Sequence, residues 1–77
     1  MKVEHAGETY YTVYEENKVD GFVGCDLVCI MNNDVRVVAQ IRYWDANGQL
    51  MLETINFDVP VEIIEEFIRE AKATLVY

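Results

Sequence analysis

The chain has 77 residues, 52% of them apolar and 12% aromatic, with 14 acidic against 6 basic side chains and a formal net charge of -8. That length holds one domain, and so short a chain buries only roughly 60 to 65% of the surface it exposes when unfolded, so oligomerisation is an expected source of stability. The charge repels nucleic-acid phosphates and anionic membranes, which argues against direct nucleic-acid binding and leaves a basic protein as the expected partner.

Residues 1–7 show little periodicity and end in a glycine, which predicts a loose amino-terminal arm or a short edge segment. Glu8 to Glu15 is the first predicted strand, rich in Thr, Tyr and Val, with Tyr10, Thr12 and Tyr14 on one side and Tyr11 and Val13 on the other. Glu16, Asn17 and Lys18 supply a polar turn. A second strand starts between Val19 and Phe22 and runs to Met31, with Gly21 and Gly24 marking a bulge or a close approach of backbone. Its core face holds Val23, Cys25, Leu27, Cys29 and Met31, and its other face Phe22, Gly24, Asp26, Val28 and Ile30.

Asn32, Asn33 and Asp34 read as a three-residue loop that sets Met31 opposite Val35. The core face then continues through Val37, Ala39, Ile41 and Tyr43 on a central strand, Val35 to Trp44. Asp45 to Gly48 make the next turn. Closed by a bulge at Gly48, it buries Met51, Ile55 and Phe57 together with a costly Glu53; with four full loop residues it buries Leu50 and Leu52 instead. The bulged form keeps Phe57 near the helix start and is the register expected. Pro60 suits a first helical turn, and Asp58 stands where a carboxylate favours the helix dipole. Ile63, Ile64, Phe67, Ile68, Ala71 and Leu75 then share one helical stripe, while Leu75, Val76 and Tyr77 are expected to fray or dock.

The expected architecture is therefore α+β: a four-stranded antiparallel β-meander over residues 8–59 and one carboxy-terminal helix over residues 60–75, packed on one face of the sheet, in a dimer. This order of elements is similar to that of single-stranded-DNA-binding transcription cofactors of the four-strand-plus-helix kind. The likeness is one of topology, and the acidic balance argues against their activity.

Chemistry is sparse. The chain has no serine and a single histidine, His5, so neither a Ser/His nor a Cys/His nucleophile pair can be assembled. Cys25 and Cys29, four apart in a strand, lie roughly 13 Å from each other, too far for a disulfide, and they read as buried free thiols. Asp45, Asn47 and Gly48 match inner positions of an EF-hand loop, but its first and last ligand positions fall on Tyr43 and Thr54, so a turn is the better reading. No enzyme, metal or cofactor is expected. No targeting signal is recognisable, and no run approaches the roughly 20 apolar residues that span a bilayer, so the expectation is a cytoplasmic protein off the membrane.

Two surfaces exceed what the fold needs. The sheet face away from the helix collects Phe22, Val28, Ile30, Val38, Arg42, Trp44, Leu50 and Leu52, with Arg36 and Gln40 among them. A solvated face should alternate to polar, so these residues form a candidate homodimer or partner interface anchored on Trp44. The exposed side of the helix carries Glu62, Glu66 and Glu70 at four-residue spacing with Glu65 nearby. Glu65 is expected to pair with Arg69, and the row is either an ordinary solvated face or phosphate-like charge for a basic groove. The functional expectation is a small acidic interaction module, an inhibitor or nucleic-acid mimic on a basic site, as a mobile-element protein directed against host defence enzymes would be. The alternative is a structural or adaptor homodimer.

Overall fold

A computed structural model describes residues 1–75. It is α+β, with five antiparallel strands in one open sheet of order β1-β2-β3-β4-β5 and a carboxy-terminal helix. The strands are β1 (Lys2–His5), β2 (Glu8–Asn17), β3 (Phe22–Met31), β4 (Asp34–Trp44) and β5 (Gln49–Thr54), and the helix is α1 (Val61–Thr74). Among the described residues no helix is long and apolar enough to cross a membrane.

The sheet has one strand more than the meander expected from the sequence. Lys2 to His5 pair with Tyr11 to Glu8, so the amino-terminal segment is an edge strand and not a loose arm. The turn between the two strands fits this pairing. Ala6 and Gly7 both take positive φ, 51° and 82°, which is the two-residue hairpin geometry that follows the right-handed twist of the strands.

The next hairpin corrects the register of β4. Asn32 and Asn33 also both have positive φ, 48° and 66°, so the loop holds two residues and Met31 pairs with Asp34, not Val35. That slip alone sends every side chain of β4 to the opposite face. A β-bulge restores the parity: Leu27 pairs with Ala39 but Val28 with Val37, leaving Val38 as an extra residue of β4. Val38 consequently enters the core at 0% exposure, while Val37 is 37% exposed on the other side. Beyond the bulge the expected pairing Cys25 with Ile41 is observed.

The turn after β4 takes the four-residue form. Tyr43 pairs with Leu50 and Ile41 with Leu52, so Leu50 and Leu52 belong to the helix side, and Met51 and Glu53 to the open side, where Glu53 stays hydrated. Phe57 packs against the core from the connection to the helix, not from a strand.

α1 lays Ile63, Phe67 and Ala71 onto the sheet, meeting Tyr10, Cys25, Leu27, Cys29, Val38, Ala39 and Ile41. Ile64 and Ile68 pack at its flank, so the apolar stripe read from the sequence is the one used. Pro60 is the residue before the first turn, with φ -53° and ψ 136°, and its carbonyl accepts from the amides of Ile63 and Ile64. Leu75 is buried in the core; the expectation for Val76 and Tyr77 lies outside the described residues.

Candidate functional site

The open face of the sheet is built from alternate residues of all five strands. Strand pairing sorts them into rows. Tyr11, Val28 and Val37 form one row and Ile30 and Val35 the next. On the other side of the first row lies a polar one, Val13, Asp26, Gln40 and Glu53, in which Gln40 Nε2 donates to Asp26 Oδ1 at 3.1 Å. The last rows hold Glu15, Gly24, Arg42 and Met51, then Phe22 and Trp44. The face is therefore two apolar patches separated by an acidic belt.

The aromatic patch is the better organised. The Phe22 and Trp44 rings lie 4.8 Å apart at 49°, and Arg42 Cζ sits 5.0 Å from the Phe22 ring centre, within cation–π range. Arg42 Nε is 3.7 Å from Glu15 Oε1, an ion pair too long for a hydrogen bond. It is the one buried side-chain donor without a hydrogen-bond partner among the described residues. Gly24 makes this arrangement possible. A Cβ there would stand 3.3 Å from Glu15 Oε1 and 3.4 Å from Arg42 Cγ, so the missing side chain lets the two reach toward each other across β3. Of the two readings of this glycine, the close approach of backbone holds, since the Ile41 carbonyl oxygen would also lie 3.3 Å from a Cβ; the bulge lies in β4.

Of the residues expected on this face, Phe22, Val28, Ile30, Arg42 and Trp44 are there. Val38, Leu50 and Leu52 are on the helix side, for the register reasons above, and Arg36 turns with them, its guanidinium 2.8 Å from Asp34 Oδ2. In their place the structure adds Tyr11, Val13, Val35, Val37 and Met51, of which the last four are large exposed apolar residues. Their alternation was visible in the sequence; which face they took was not.

The acidic helix row is divided. Glu62, Glu65 and Glu66 face solvent, but the Arg69 guanidinium pairs with Glu66, not Glu65. Glu70 is drawn out of the row to the margin of the sheet. It accepts from the amino group of Met1 and, at 2.6 Å, from the Tyr14 hydroxyl. Burial raises the Glu70 carboxyl, yet those hydrogen bonds, one from Thr12 and the charge of the amino group outweigh it, and the net shift is downward. Tyr14, through burial and its bond to Glu70, is raised to about 12.

On the covered side both thiols are free and fully buried. Burial first, with Glu70 and Asp26 adding, raises Cys25 to about 11, so it stays a thiol at neutral pH and is inert as a nucleophile. Burial and the Glu8 carboxylate likewise raise Cys29, whose Sγ donates to Glu8 Oε2 at 3.4 Å, beside the Tyr10 hydroxyl donating to the same oxygen at 3.1 Å. No group of three metal-ligating side chains occurs among the described residues.

Comparison with protein-family models, curated proteins and solved structures found no match.

Proposed function

We propose that this protein is a non-enzymatic interaction module that docks onto a basic protein through the open face of its sheet, as an inhibitor occupying a basic site would. The observation that carries this reading is the half-buried patch of Phe22, Trp44 and Arg42 on the open face, a tilted aromatic pair with a guanidinium alongside. Trp, Tyr and Arg in such settings supply most of the binding energy at protein interfaces. The acidic belt of Asp26, Glu53 and Glu15 between and beside the patches calls for lysine or arginine on the partner.

Charge favours this reading over the alternatives. A homodimer made face to face through the sheet sets the acidic belt of one copy against that of the other, in molecules of net charge -8 each, and like charges across an interface cost several kcal/mol. Mimicry of nucleic acid by the helix needs a free acidic row, whereas Glu66 is neutralised by Arg69 and Glu70 is held at the sheet margin. The helix and the open face lie on opposite sides of the sheet, so they make separable predictions.

The test is competition between variants for partners retained from the native host. Trp44→Ala and Phe22→Ala abolish retention of the specific partner, and Glu62→Gln with Glu66→Gln leaves it. The reverse result moves the binding site to the helix and restores charge mimicry.

A further inference from the structure

The two edges of the sheet are built differently. β1 presents four residues, of which Lys2, Glu4 and His5 are ionisable, and a short charged edge resists pairing with a further strand. β5 presents six residues, QLMLET, with Glu53 as their one charge. Ile55 N donates to Val38 O at 3.0 Å, which fixes the alternation of the β4 ladder: Met51 and Glu53 bond inward, and the amides and carbonyls of Leu50, Leu52 and Thr54 point outward. Beside that edge, which pairs with no further strand among the described residues, Leu50, Leu52, Ile41 and Met51 with Ile68 and Lys72 of α1 line an apolar groove of about 140 Å3.

We propose that this protein self-associates through β5, antiparallel to β5 of a second copy, about a two-fold axis at Met51. In that register Leu50 of each copy pairs with Leu52 of the other, next to the Ile68 side chains. The two Met51 side chains meet on the open face, and the Gln49 amide stands opposite a Glu53 carboxylate. An axis at Leu52 sets Met51 against Glu53 instead, so the apolar pattern selects the first arrangement. Glu65 and Lys72 lie about one turn before and after Ile68, and the same rotation turns Lys72 of one copy toward Glu65 of the other. That complementarity offsets part of the repulsion between two acidic chains. One strand pair with its flanking leucines is a small interface beside the roughly 1,600 Å2 of a standard one, so a weak, concentration-dependent association is expected.

The geometry has a functional consequence. A two-fold axis perpendicular to the sheet joins the two five-stranded sheets into one, with both helices on one side and both open faces on the other. The dimer then offers the docking patch twice on one surface and can hold a two-fold partner with avidity.

Sedimentation equilibrium across the micromolar range tests the association. The native chain doubles in mass with concentration, whereas Leu52→Lys, at a position 46% exposed, stays monomeric with an unchanged circular dichroism spectrum. Trp44→Ala, which removes partner binding, still dimerises, so failure of the edge and failure of the docking face are told apart. Cross-linking reads the register independently: Met51→Cys forms a disulfide-linked dimer under mild oxidation, with the native thiols buried and silent, and Val13→Cys on the open face does not. A native chain monomeric throughout, a Leu52→Lys variant that still dimerises, or equal cross-linking at both positions overturns the proposal.

Discussion

The two faces of this sheet have similar apolar content and opposite fates. Under the helix, Phe67 and Ile63 close over Leu27, Cys25 and Ile41 with almost no exposure. On the other side, Val13, Val35, Val37 and Met51 are between 37% and 58% exposed, with no described element packed over them. The same residue types thus stabilise the fold on one face and remain available for a partner on the other. Burial, not composition, converts apolar area into stability, at about 25 cal/mol per Å2 removed from water.

Adjacent residues give the sharpest test, because Val38 enters the core with Ala39 at the bulge while Val37 turns to the open face. Val38→Asp buries an unpaired carboxylate in the core and should cost more than about 4 kcal/mol, or unfold the chain outright. Val37→Asp should leave denaturant unfolding within about 1 kcal/mol of native and weaken partner binding. Equal effects at the two positions would remove the distinction between the faces. Phe67→Ala opens a cavity beneath the helix and should lower the unfolding free energy by about 3–5 kcal/mol.

Trp44→Ala is the corresponding deletion on the open face. It should cost less in stability than Phe67→Ala, because Trp44 is only half-buried, but at least about 2 kcal/mol in partner affinity by titration calorimetry. At the margin of the covered face, pH is the probe. The lowered Glu70 carboxyl contributes stability that is complete above its ordinary value of 4.5 and is lost as pH falls through the depressed one. The stability of the native chain should therefore drop more steeply below pH 4.5 than that of Glu70→Gln. The Tyr14 hydroxyl, held to about 12, acts in the other direction, and its contribution is complete below its ordinary value of 10 and fades as pH rises past it. The smallest effect belongs to neither face. Ala6 has φ 51° before Gly7, a geometry that asparagine accepts and alanine resists. Ala6→Asn should raise stability by about 0.5–1 kcal/mol without altering partner binding.

Much of the candidate surface is legible in the amino-acid sequence. Phe22, Val28 and Ile30 follow from alternation along β3, and Arg42 and Trp44 from alternation in the part of β4 beyond the bulge. Val38, Leu50 and Leu52 were misplaced by loop lengths. The run from Val35 to Ala39 has apolar residues at both parities, so an inserted residue leaves its pattern unchanged. Asp45 to Gly48 can close either of two hairpins, each with an acceptable apolar set.

The sequence by itself determined the α+β class, the helix and its stripe, the two faces of β2 and β3 and the burial of the thiols. Each rests on a period of 2 or 3.6 residues, which local residues carry. Tertiary structure alone decided the fifth strand, the bulge at Val38, the register of β5 and the removal of Glu70 from its acidic row. Those depend on which backbone groups find partners across the sheet, and a one-residue change there exchanges the faces of a whole strand.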